Sequence, residues 1–132
     1  MDNPTYVLDA SALLGYLYGE EEYDQLEGVL HSKCFIATLQ LGEIYYVLLM
    51  EEGKEKAQSA LASIRNTEVE IITVDEDMAL EAGDIKAQTG LPYVDAVAAA
   101  LANLNSATLV TSDGDFERLG GHLEVEVQWI GG

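Results

Sequence analysis

Four carboxylates in this sequence stand where solvent alone does not account for them. Asp9 closes the apolar run "TYVLD", and Asp113 closes "ATLVTSD". Glu43 lies within "LQLGEIYYVLLM", where its neighbours at helical spacing are Leu39, Gln40, Tyr46 and Val47. Asp95 opens "VDAVAAALA", with Leu91, Pro92, Ala98 and Ala99 at the same offsets. A carboxylate left unpaired among apolar side chains is costly, so it is normally paired, protonated or supplied with a cation. A cluster of such groups at about 4 Å separation repels by about 4 kcal/mol per pair at an effective dielectric of about 20, which again calls for a cation or shared protons. An oxygen-only set without histidine or thiolate suits Mg2+ or Mn2+ and disfavours zinc. A cation held this way commonly serves phosphate chemistry, where it activates water and neutralises charge on phosphoryl oxygens.

Each acid also has a structural use. Asp9 and Asp113 can cap helices at strand-to-helix turns, and Asp95 can be a first-turn acid favoured by the helix dipole. Glu43 is harder to excuse, because a mid-helix glutamate on an apolar face has no cap to make. Asp115, in "SDGDFERL", serves equally as a cap for the following short helix or as a further metal ligand. His31 and His122 stand alone without ligand spacing and read as surface or packing residues. Cys34, inside "KCFIA", reads as a buried strand residue with no disulfide partner.

The elements that must position these acids follow from periodicity. "TYVLD" (5–9), "CFIA" (34–37), "VEIITV" (69–74) and "ATLVTS" (107–112) read as strands. "EVEVQWI" (124–130) alternates strictly and predicts a half-buried last strand with Val125, Val127 and Trp129 on one side. Between them lie helical patterns: "ASALLGYLYG", then "EEEYDQLEGVL" with Tyr23, Leu26, Val29 and Leu30 on one face and the acids on the other. A third helix, capped by Thr38, runs to about residue 52 and stops at Gly53; further helices cover "KEKAQSALASIRN", 76–89 and 93–105. Strands alternating with helices predict an α/β fold, a mostly parallel sheet covered on both faces, with ligands beyond the carboxyl ends of the strands. The length predicts a single domain over residues 1–132.

Composition narrows the class. Hydrophobic residues make up 48% and recur periodically, which excludes disorder. No run is long enough for a membrane span and the N-terminus lacks a basic leader, so a cytoplasmic protein is expected. Against 24 acidic residues stand only 6 basic ones, Lys33, Lys54, Lys56, Arg65, Lys86 and Arg118, for a net charge of −18. Such a surface repels nucleic acid in dilute salt. In molar salt the Debye length falls to about 3 Å and the self-repulsion is screened, so a halophilic source is expected, with a thermal midpoint that climbs as KCl is added.

"YVLDASALL", "LGEIYYVL", "VDAVAAALA" and "LVTSDGDF", in that order, closely resemble the PIN-domain family, and within it the VapC-type toxins of toxin–antitoxin pairs. The resemblance covers essentially the whole chain. It implies a PIN-like three-layer sandwich around the sheet and a Mg2+- or Mn2+-dependent endoribonuclease, here of a halophilic archaeon. The family's acidic quartet falls on Asp9, Glu43, Asp95 and Asp113; Asp115 matches a less constant extra acid, and Ser11 and Thr111 match hydroxyl positions that support the first and last of the quartet. The implied reaction is in-line attack of water on an RNA phosphodiester, leaving a 5′-phosphate and a 3′-hydroxyl. Asp9, Asp95 and Asp113 would hold metal, and Glu43 would hold metal or a coordinated water and help remove its proton. The implied partners are RNA, a cognate antitoxin whose basic residue reaches the carboxylates, and a second copy in a homodimer, to which Tyr16, Tyr18, Tyr45 and Tyr46 could contribute.

Other aspartate-first enzymes fit less well. A haloacid-dehalogenase-like phosphatase needs an aspartate at the position of Ser11, and a response-regulator receiver needs paired acids at the first strand and a late lysine. The remaining alternative is a non-catalytic PIN-like binding module, which would be free to lose the acids that this chain retains.

Overall fold

Side chains alternate along an extended strand, so a strand covered on both faces must be apolar at both parities. "TYVL", "KCFIA" and "TLVT" meet that requirement. In the computed structural model, which describes residues 3–131, they form β1 (Thr5–Leu8), β2 (Lys33–Ala37) and β4 (Thr108–Thr111), joined by β3 (Glu70–Ile72) and β5 (Val127–Trp129). The sheet order is β3-β2-β1-β4-β5, and every pairing is parallel. Val7, Phe35, Ala37 and Leu109 face one apolar layer; Leu8, Cys34, Ile36 and Val110 face the other.

The second layer is built by α1 (Ala10–Leu17), α2 (Leu26–Leu30), α3 (Thr38–Glu52) and α4 (Lys54–Arg65). The first is built by α5 (Glu76–Thr89), α6 (Tyr93–Leu104) and a 3₁₀ segment, Gly114–Leu119, that contributes Phe116 and Leu119. This is the expected three-layer α/β sandwich. Every residue of α6 from Asp95 to Ala102 is buried. Five alanines in that run keep the side chains short, so α6 lies close against the sheet on one flank and α5 on the other. Gly90, at φ +76°, ends α5 in the left-handed conformation that glycine adopts without strain, and the chain turns through Pro92 into α6. Among the described residues no helix is long and apolar enough to cross a membrane.

Three local expectations change. "EEEYDQLEGVL" is not one helix: a 3₁₀ turn at Glu21–Tyr23 precedes the short α2. Tertiary packing overrides the helical pattern, because the Tyr23 ring is seated over Gly15 of α1 and Gly131, and its hydroxyl donates to Ser112 Oγ at 2.9 Å. Thr38 does not cap α3. Ala37 occupies the cap position, and the Thr38 hydroxyl accepts from the Val74 amide at 3.3 Å, tying the exit of β3 to that of β2. The last strand pairs only over Val127–Trp129; Val125 and Val127 pack on the α6 side as expected, whereas Trp129 is 45% exposed. As the edge strand, β5 runs out from under its cover there, and Ile130 returns to the opposite layer.

Gly15 is the contact that fixes Tyr23. A Cβ at residue 15 would lie 2.3 Å from the Tyr23 ring, closer than any real contact. Gly15→Ala should therefore lower the stability of the protein by about 1–3 kcal/mol, read in a denaturant melt, as overpacking does elsewhere. An unchanged midpoint would show that Tyr23 is free to move.

Candidate metal centre

In a parallel sheet the carboxyl ends of all strands meet at one edge, and a crevice opens where the connections diverge. Here β1 has β2 on one side and β4 on the other, with Leu8 in register with Val110. The residues that follow these two central strands include Asp9 and Asp113, so both acids stand at the divergence.

Asp9 is 2% exposed, and its amide donates to the Val110 carbonyl at 3.0 Å. Its Oδ2 accepts from Ser11 Oγ at 2.7 Å, Thr111 Oγ1 at 2.9 Å and the Ser11 amide at 3.4 Å. Each hydroxyl also accepts: Ser11 Oγ from the Ser112 amide at 3.1 Å, Thr111 Oγ1 from the Asp113 amide at 3.0 Å. The two hydroxyl oxygens lie 3.1 Å apart, where either can donate to the other, and Oδ2 gathers three donors. Oδ1 is the opposite case, buried without any partner.

Glu43 comes from the second turn of α3, and Asp95 from the first turn of α6. One carboxylate oxygen from each of Asp9, Glu43 and Asp95 lies within 4.8 Å of the others; the same holds for Asp95, Asp113 and Asp115. Asp95 belongs to both groups. All five acids named from the sequence are therefore brought together, with Ser11 and Thr111 behind Asp9. Two ionised carboxylates at that distance repel by about 3 kcal/mol at an effective dielectric of about 20. Among the described residues no lysine, arginine or histidine pairs with any of them; the ion pairs present are Lys56–Glu52 and His31–Glu27 on exposed helix faces. A divalent cation fits this donor set: the oxygens are acceptors only, and an orphaned buried carboxylate oxygen needs positive charge.

Two of these acids also have a structural use. Asp9 caps α1 through the Ser11 amide, and Asp113 Oδ1 caps the 3₁₀ segment by accepting from the Asp115 amide at 2.9 Å. Asp115 is not a cap, since its own amide is the group being capped. Two contributors escaped the sequence reading. Tyr23, through Ser112, braces the turn that carries Asp113, and nothing in an acidic run marks one tyrosine as a strut. Gln40 is fully buried and donates from Nε2 to the Val94 carbonyl at 2.6 Å; its signal was visible, one turn before Glu43 on the same apolar stripe.

A family model described as PIN domain matches residues 6–122. The chain belongs to the PIN-domain family. No curated protein sequence matches it significantly. Solved structures with the same fold include DNA-bound VapBC from Salmonella typhimurium, at 19% identity and a TM-score of 0.78 over 96% of this chain and 98% of that one. VapBC2 from Rickettsia felis, bound to a fragment of its promoter, is 23% identical with a TM-score of 0.76 over 96% and 99%. VapC20 of Mycobacterium tuberculosis, a toxin that cleaves the sarcin-ricin loop, is 22% identical with a TM-score of 0.73 over 88% and 95%.

Crowding sets the electrostatics of this PIN domain. Burial raises the Asp9 pKa, against the opposing hydrogen bonds from Ser11 and Thr111. Burial, then the charges of Asp9 and Asp113, raises Glu43. Asp95, the shared member, is pushed up to about 7 by burial and then by Asp9, Asp113, Glu43 and Asp115. A carboxyl with a raised folded pKa binds more protons folded than unfolded, so without metal its contribution to stability falls as pH rises from 3.8 to about 7. In chelator, Asp95→Asn should therefore melt above wild type at pH 8, by about 4 °C for ~1 kcal/mol, and the difference should close near pH 4. A difference that is the same at both pH values would contradict the origin of the strain in Asp95.

Proposed function

We propose that this PIN domain is a metal-dependent endoribonuclease, the toxin of a VapBC-type toxin–antitoxin pair. The observation that carries the reading is the buried, unpartnered Asp9 Oδ1 within a cluster of acids that, among the described residues, no cationic side chain neutralises. Asp9, Asp95 and Asp113 are assigned to hold Mg2+ or Mn2+, Glu43 to hold the same ion or a water bound to it, and Asp115 to serve as a further ligand. When bound, the cation neutralises phosphoryl charge and makes water a better nucleophile.

The chain's own residues then have distinct tasks. Ser11 and Thr111 hold the Asp9 carboxylate in place through its Oδ2. Glu43 is half-buried with a raised pKa, suited to taking a proton from the attacking water. Water oxygen bonds to phosphorus as the P–O3′ bond breaks, leaving a 5′-phosphate and a 3′-hydroxyl; Glu43 receives the water proton, and the 3′ oxygen takes one from solvent.

The VapBC structures that share the fold contain antitoxins, which supports a partner here. With a net charge of −18, the partner segment that suits the carboxylate crevice is basic. Tyr18 and Tyr46 are exposed and available to a second copy in a homodimer; Tyr16 and Tyr45 are half-buried against the α1–α4 layer. We assign the charge itself to life in concentrated salt, in the cytoplasm of a halophilic archaeon, with residues 1–132 acting as one domain.

The test is cleavage of total cellular RNA in high KCl with Mn2+, wild type beside Asp9→Asn. Discrete fragments from wild type, reduced roughly 100-fold or more in the variant and abolished by chelator, are expected. Intact RNA with wild-type protein that has bound Mn2+ would favour a non-catalytic binding module.

A further inference from the structure

Gln40 is fully buried, yet half of its amide is wasted. Nε2 donates to the Val94 carbonyl at 2.6 Å, while Oε1 is buried without a partner. A buried amide oxygen without a partner is unfavourable, and leucine or methionine would fill a similar volume without one. Fold stability alone therefore gives no reason for glutamine.

Its position does. Gln40 precedes Glu43 by three residues, on the same face of α3. Val94 adjoins Asp95 in the first turn of α6. The bond thus runs from the turn beneath one carboxylate to the peptide unit beside the other, and it is the side-chain hydrogen bond joining these two helices among the described residues. Glu43 and Asp95 lie within 4.8 Å and repel, which presses α3 and α6 apart at that point. The 2.6 Å hydrogen bond from the buried Gln40 amide opposes the separation, and burial strengthens it electrostatically.

We propose that Gln40 is a positioning residue that holds α3 against α6, so that Glu43 and Asp95 stay close enough to share one cation. The proposal rests on the metal reading above. It separates from a packing role because the two make opposite predictions. A residue kept for packing affects folding and leaves the folded site alone; a residue kept for position affects the site at little cost to folding.

Mn2+ affinity by titration calorimetry, together with circular dichroism melts in chelator, tests this on wild type, Gln40→Leu and Gln40→Met. The expected result is a metal-free melting temperature equal to or above wild type in at least one variant, with Mn2+ affinity in that variant weakened about fivefold, the net effect of one hydrogen bond. The thermal stabilisation conferred by Mn2+ should shrink in parallel. Unchanged affinity in the folded variants would overturn the proposal, whatever the melting temperature. Failure of both variants to fold would overturn it too, by making Gln40 a requirement of the fold. No Mn2+ binding by wild type would instead overturn the metal reading on which it rests.

Discussion

Carboxylates packed within 4.8 Å of one another, one of them almost fully buried, impose the condition that the rest of the molecule meets. Left alone they repel, and the low-dielectric side of the crevice makes ionisation costly. Asp95 shows the consequence most clearly, since it belongs to both triads and its pKa is driven up to about 7. A structure that gathers acids in this way is strained until positive charge arrives. A hard divalent cation held by these oxygens would offset both the desolvation and the repulsion.

Holding such a cluster requires rigid supports on every side. The parallel sheet supplies two, because adjacent strands β1 and β4 end in register and deliver Asp9 and Asp113 to the same edge. Hydrogen bonds from Ser11 and Thr111 to Asp9 and from the turn amides of Ser112 and Asp113 back to those hydroxyls lock the two strand ends together. Tyr23 braces the same turn from outside. The helices supply the remaining acids, and the alanines of α6 let Asp95 approach a sheet that a leucine-rich helix would hold at a greater distance.

Much of this was legible in the sequence because it is local. Apolar runs ending in aspartate mark strand ends, and a glutamate on an apolar stripe or an aspartate opening an alanine run marks a group with no local use. Those signals found Asp9, Glu43, Asp95 and Asp113, and the alternation of strands and helices pointed to the sheet. What stayed hidden is what only tertiary contacts decide. Tyr23 leaves its helical pattern because Gly15 and Gly131 make room for its ring. Thr38 passes over the cap for the Val74 amide, and Trp129 emerges from its strand because β5 is an edge. Asp115 was ambiguous from sequence because cap and ligand demand the same residue type; the amide direction shows that Asp113, not Asp115, is the cap.

The acidic surface and the acidic site make different demands. Surface charge is diffuse and screened by salt, whereas the crevice charge is concentrated and partly buried, so molar salt does not relieve it. A cation inside the cluster, or protonation of its members, does. The most direct measurement is an anomalous difference map from crystals grown with Mn2+. A peak at roughly 2.1 Å from carboxylate oxygens of Asp9 and Asp95, with Asp9 Oδ1 no longer unpartnered, is the expected result; an ordered cluster without such a peak at millimolar Mn2+ would contradict a metal centre.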